Sequence, residues 1–233
     1  MEPIGVITSI HRYPVKSMGG ERLEAAPLTL QGLPGDRQYA FVLADSRSSF
    51  PWFTGREHAT LLNYRATMKP GSPPSVEVET PTGARYEAAD PALREELERE
   101  SGRRLTLLSD YRGNYDVAPV TLISHATVAA LAAASGTADD PGRYRMTLTV
   151  ETGGSTPFAE NDWVGRIIRV GGARVAVTEP DRRCVMITLD HPTSAGSPAV
   201  LKAAAELNNS CAGVYGAVIT AGPIREGDEL VLE

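Results

Sequence analysis

Cysteine is scarce in this sequence: Cys184 and Cys211 are the only two among 233 residues. They form neither a CxxC pair nor a zinc-ribbon spacing, which excludes a disulfide-dense secreted scaffold and a zinc ribbon. A single disulfide between them stays open. Aromatic residues are also few, at 6%, and positive charge is in deficit, with a net charge of −6. A broad nucleic-acid footprint or a polybasic membrane surface needs a basic face, so neither partner is expected. No apolar run approaches the roughly 18 residues of a membrane span. Residues 1–10 carry Glu2, Pro3 and Gly5 where a secretory signal has a basic n-region and an apolar h-region. The expectation is a soluble protein of a reducing cytoplasm, in which a lone thiol stays free. Common catalytic signatures are missing too. His11, His58, His125 and His191 are scattered without an H-E-x-x-H, and there is no G-x-S-x-G and no Walker loop.

What is present is a run of short apolar segments punctuated by glycine and proline. Alternation over residues 5–13 predicts a strand, ended by Pro14. Residues 23–30 and 37–44 predict two more, separated by the Gly- and Pro-rich turn 31–36. Residues 61–68, 75–79, 84–88 and 105–108 add short strands, and the succession suggests a barrel or meander. Asp90 followed by Pro91 predicts a helix start, with Gly102 at its end. Residues 110–117 form the best internal boundary. Beyond it come a strand over 119–123, an alanine-rich helix begun by Ser124-His125, and a strand over 143–150. In that strand Arg143 and Arg145 would share one face and Tyr144 and Met146 the other. A strand-rich run from Trp163 to Asp190 follows, then a turn-like segment 191–198, a helix over 199–207, and strands over 213–221 and 230–232. The fold class is therefore mainly β with a few helices.

The chemistry gathers around Glu179-Pro180-Asp181-Arg182-Arg183-Cys184. Guanidinium beside a thiol favours the thiolate, which is both nucleophile and soft metal ligand. Arginine forks suit phosphate or a planar oxyanion. Lys16 with Ser17, Arg37 after Asp36, and Ser124-His125 at a helix start lie at strand–loop junctions, where Arg145 could add charge to the same anion. Bland readings stand beside these. Cys184 could be a buried strand cysteine, Lys16 a solvated lysine, Arg37 a partner of Asp36, and Ser124 only a cap. A thiol hydrolase with His125 or His191 as base is also open. The aromatic loop 50–56 is either a core flap or the wall of a ligand cleft with Arg56 facing in.

Several motifs in order resemble one family. They are Tyr13-Pro14-Val15-Lys16-Ser17, the turn ending Asp36-Arg37, Val120-Thr121-Leu122-Ile123-Ser124, and Pro157-Phe158-Ala159-Glu160-Asn161-Asp162-Trp163. Arg183-Cys184 followed by Ile187-Thr188-Leu189-Asp190, Gly213-Val214-Tyr215, and Ile224-x-x-Gly227-Asp228 complete the series. Together they resemble the MOSC family, the molybdenum-cofactor-sulfurase C-terminal domain proteins, including the mitochondrial amidoxime-reducing component and its bacterial relatives.

The resemblance implies an N-terminal MOSC-type β-barrel domain over 1–110 packed on a β-barrel MOSC domain over 111–233. It implies a molybdenum cofactor, molybdopterin with its metal (Mo) on Cys184. Lys16, Ser17, Arg37, Ser124, His125, Arg145, Thr147 and Arg183 would lie around the cofactor. The implied reaction is reduction of an N-hydroxylated small molecule. No ferredoxin-type cysteine cluster is present, so electrons would come from a separate donor protein, a ferredoxin, flavoprotein or cytochrome-like partner. Two departures stand out. Arg145-Met146-Thr147 replaces the usual Arg-Pro-Asn, and His191-Pro192-Thr193-Ser194 replaces Asp-Pro-x-Thr-Gly. Two other functions fit the same residues: a cofactor or persulfide-sulfur carrier without turnover, and a metal-free enzyme using Cys184 as nucleophile.

Overall fold

The computed structural model of the chain describes residues 3–191 and 193–233. Its strands are β1 (Pro3–Arg12), β2 (Glu21–Leu23), β3 (Ala25–Leu28), β4 (Tyr39–Leu43), β5 (Arg65–Lys69), β6 (Ser75–Glu79) and β7 (Arg85–Glu87). Helix α1 (Pro91–Ser101) and β8 (Leu105–Ser109) end the first half. The second half contains β9 (Val120–Ser124), α2 (His125–Ser135), β10 (Leu148–Thr152), β11 (Ile167–Val170), β12 (Ala173–Arg182), α3 (Pro198–Asn208), β13 (Cys211–Thr220), β14 (Gly222–Arg225) and β15 (Glu229–Leu232). The mainly-β class with a few helices, read from the sequence, is the class observed.

The second half closes into a seven-stranded barrel in the order β1-β10-β9-β13-β12-β11-β15, and β15 pairs back with β1. Closure removes sheet edges and satisfies every ladder internally. Its interior is filled by alternate residues such as Ile7, Leu122, Leu148, Val150, Ile168, Val175, Val214 and Leu230. Strand β1 thus reaches across the 110/111 division and belongs by hydrogen bonding to the later barrel. On one flank, α2 and α3 bury Val128, Leu131, Val200 and Ala204 against Ile123, Met146 and Ile187. That is why every residue of β9, covered on both faces, is buried.

The first half packs β4-β8 and β5-β6-β7 with α1 around Val15, Met18, Phe41, Phe53, Leu61, Tyr64, Val78, Leu93 and Leu97. Helix α1 starts where expected. Asp90 accepts a bond from the Ala92 N–H, Pro91 takes the first position, and Gly102 ends the helix in the left-handed conformation.

Several sequence expectations fail. Residues 143–150 are not one strand. Asp140 caps a 3-10 turn, Pro141–Tyr144, Arg145 is left-handed at φ 55°, and only Leu148–Thr152 is extended. A capped Pro-Gly pair outweighs the alternation that follows it. The stretch after Cys184 is likewise a 3-10 turn, Val185–Thr188, closed by the Thr188 hydroxyl on the Val185 carbonyl at 2.7 Å. Its β-branched residues suggested a strand, but burying Ile187 against α3 decides the conformation. Residues 59–63 form a 3-10 turn before β5, Ala159–Trp163 forms another, and 23–30 breaks into β2, β3 and a turn. In the turn-like segment 191–198, Pro192 lies outside the described residues.

Candidate functional site

A cavity of about 390 Å³ opens between the two halves and the segment joining them. The loop after β1 brings Lys16 and Ser17, the turn before β4 brings Arg37, and the aromatic loop brings Phe50, Thr54 and Arg56. The joining segment adds Tyr115, Asp116 and Val117. The barrel contributes Thr121, Arg143–Arg145, Thr147, the end of β12 with Asp181, Arg183 and Cys184, and Tyr215. Seven cations and three carboxylates line it. In a chain of net charge −6, this is a local positive field suited to an anion.

The cations are held by different means. Lys16 is buried, and its Nζ donates to the Asp116 carboxylate and the Asn114 carbonyl, both at 2.7 Å. Burial pulls the Lys16 pKa down. Burial pushes Asp116 up, but Lys16 outweighs it and the net shift is downward. Arg37 pairs with buried Asp36 at 2.5 Å, and Asp36 also accepts the Tyr13 N–H at 2.7 Å. Two motifs distant in sequence are thereby locked together. The Tyr13 ring faces two guanidiniums, Arg37 at 5.0 Å and Arg145 at 4.3 Å. Arg183 pairs with buried Asp181 and donates to the Tyr144 carbonyl at 2.7 Å. Burial raises the Asp181 carboxyl above its ordinary value, against the pull of Arg183 and a hydrogen bond to Tyr215. Arg143 has a structural role. It donates to the Ile187 and Leu189 carbonyls and pairs with Asp190 at 2.5 Å, tying down the turn after Cys184.

Arg145 is different. Unlike Arg143 and Arg183, it makes no ion pair among the described residues, and its Nη1, like the Nε of each of those two, is inaccessible and without a hydrogen-bond partner. Burial pushes its pKa down to about 10. An unsatisfied buried donor costs free energy unless a ligand answers it. Backbone strain concentrates here too. Among the described residues seven non-glycine residues have positive φ, and three of them, Ser17 (66°), Arg37 (49°) and Arg145 (55°), line this cavity. Such strain gathers at ligand-holding sites, where the surrounding structure over-determines it.

Cys184 is a free, half-buried thiol in the wall. Its Sγ accepts a bond from Arg56 Nη2 at 3.2 Å, so Arg56 does face in. Thr147 also lines the cavity. It is fully buried, with its hydroxyl 3.2 Å from that of Thr121.

Of the residues proposed from the sequence, Cys184, Lys16, Ser17, Arg37, Arg145, Thr147 and Arg183 meet at this cavity. Ser124 and His125 do not, which corrects that part of the expected cradle. The fully buried Ser124 hydroxyl caps α2 through the Thr127 N–H and donates to the buried Glu160 carboxylate at 2.9 Å. The His125 Nε2 lies 2.9 Å from the Thr8 hydroxyl. The first turn of α2 is therefore spent on structure. Sequence reasoning did not single out Asp116, Tyr115, Asp181 or Tyr215. Two of them carried a signal: Asp181 stands three residues before the cysteine in the central motif, and Tyr215 ends the motif Gly213-Val214-Tyr215. Among the described residues no cluster of three metal-ligating side chains occurs.

Residues 110–231 match the MOSC domain, and residues 4–103 match the MOSC N-terminal beta barrel domain. No curated protein matches the chain significantly. Among solved structures, the YuaD protein from Bacillus subtilis superposes with a TM-score of 0.53 at 13% identity, over 98% of this chain and 94% of its own; it supports the fold alone. YiiM from Geobacillus stearothermophilus matches half of this chain and 54% of its own, at 22% identity and a TM-score of 0.40.

Proposed function

The chain belongs to the MOSC family, and from that premise we propose that it is a molybdenum-cofactor-dependent oxidoreductase of N-hydroxylated compounds, with Cys184 as the protein ligand to the metal. MOSC domains are associated with the molybdenum cofactor. The observation that carries the reading to this chain is the unanswered Arg145 Nη1 in the same cavity as a free thiol. A buried cation without a counterion fits an anionic phosphate or pterin group, and a soft sulfur fits the metal. Residues and group therefore agree in chemistry.

The chain's own residues have distinct tasks. Arg145 answers the anion, with Lys16, Ser17 and Thr147 beside it. Asp36 and Tyr13 hold Arg37 rigid, so its charge is in place before any ligand arrives. Arg183, fixed by Asp181 and the Tyr144 carbonyl, supports the cysteine-bearing segment. The cofactor, when bound, supplies two-electron oxygen-atom chemistry, and a separate redox protein supplies the electrons.

The test is elemental analysis of the chain produced in a host that makes the cofactor, alongside Cys184→Ala. Wild type should carry stoichiometric molybdenum and reduce an aryl amidoxime, and the variant should keep its melting temperature but lose both. Unchanged molybdenum in the variant would exclude Cys184 as ligand. A wild type free of molybdenum, carrying a persulfide on Cys184, would replace the reading with sulfur carriage.

A further inference from the structure

Beyond the inner cradle, three lining cations have no carboxylate within ion-pair distance among the described residues: Arg56, Arg145 and Arg182. Arg145 lies deep against Tyr13. Arg182 is exposed. Arg56 has neither placement. It is solvent-exposed, yet its guanidinium stands 3.2 Å from the Cys184 Sγ and 4.7 Å over the Phe50 ring. That bond engages one of its five donors, and the sulfur is its one side-chain hydrogen-bond partner among the described residues.

The position of Arg56 is built, not incidental. The Glu57 carboxylate accepts both the N–H and the hydroxyl of Thr54 at 2.8 Å, and the Thr54 hydroxyl accepts the Arg56 N–H. The turn is further closed by the Glu57 and His58 N–H groups on the Thr54 carbonyl. Gly55 lets this turn lie against the segment after the cysteine. A Cβ there would stand 2.9 Å from Met186 Cε and 3.3 Å from Leu189 Cδ1. The wall around Arg56 is apolar: Phe50, Met186 and the exposed Val117 line the same cavity.

We propose that Arg56 over Phe50 forms a second, outer anion subsite beside Cys184. It selects substrates that carry a planar oxyanion, such as a carboxylate, on an apolar or aromatic body. The fork supplies paired donors to the oxyanion, and Phe50, Val117 and Met186 take the body. This rests on the reductase reading for the reaction, but the subsite itself does not need it.

Calorimetric titration of the full chain with benzoate and with its neutral isostere benzamide tests the subsite. Benzoate should bind at least tenfold more tightly than benzamide, roughly the factor of one charge-assisted hydrogen bond. Arg56→Gln should abolish that preference, Arg56→Lys should restore part of it, and Arg182→Gln should leave it in place. Equal binding of the two probes overturns the proposal, as does no binding of either to the wild type. A preference kept in Arg56→Gln assigns the anion to another part of the cavity and also overturns it. Molybdenum content of the same preparations reports separately on the reductase reading.

Discussion

Replacing Asp36 by Asn isolates one charge. The amide oxygen can still accept the Tyr13 N–H, but Arg37 loses its counterion in a half-buried setting. Breaking a buried pair from one side costs about 3–5 kcal/mol, so Asp36→Asn should lower the urea midpoint strongly with an unchanged slope. A loss near zero would mean that Arg37 is solvated. His11 gives a pH signature. Burial, reinforced by Arg22, holds its pKa below 6.5, so the folded chain resists protonating it while the unfolded chain does not. The unfolded state then binds more protons below pH 6.5, and stability falls as pH falls through that window. The melting temperature should drop between pH 7.5 and 5.5. His11→Asn should shrink the drop; an equal drop would remove His11 from the account.

At the scale of elements, substitutions at the start of α2 and near the start of β13 both lower stability, but only the second reaches a side chain that touches the cavity wall. Ser124→Ala removes a cap and one of the donors to buried Glu160. It should cost about 2 kcal/mol yet leave molybdenum content unchanged, because Ser124 does not line the cavity. A variant that folds as well as wild type but loses its metal would return Ser124 to the cradle. Gly213, at φ 81°, lies where a Cβ would come 2.4 Å from Met146 Cε and 2.5 Å from the Leu122 carbonyl oxygen. Gly213→Ala should therefore destabilise by about 2–4 kcal/mol, measured by chemical denaturation, and should disturb Met146, which Arg183 touches at 3.5 Å. The elements most legible in the sequence were those with local signals, such as α1 with Asp90, Pro91 and Gly102. The 3-10 turns at Pro141–Tyr144 and Val185–Thr188 were missed because packing and capping, not periodicity, decide them.

For the whole molecule, β1 is the strand that closes the barrel. A fragment beginning at residue 111 keeps the MOSC match but exposes the edges of β10 and β15 that β1 covers. It should self-associate on size-exclusion chromatography and lack a near-UV signal, and adding a peptide of residues 1–13 should restore a monomer. A well-folded monomeric fragment would show that closure is not required.

The amino-acid sequence determined by itself the β-rich class, the capped helices, the short motifs and the thiol among arginines, because each rests on neighbours within a few residues. Only the tertiary structure decided which motifs share a cavity. It joined Tyr13 to Asp36 through one hydrogen bond, brought Arg56 to the sulfur 128 positions away, and turned Ser124 and His125 toward Glu160 and Thr8. The physical reason is that burial and counterion choice are set by contacts between distant segments. Residue type alone cannot say whether a polar side chain faces a ligand or another part of the chain.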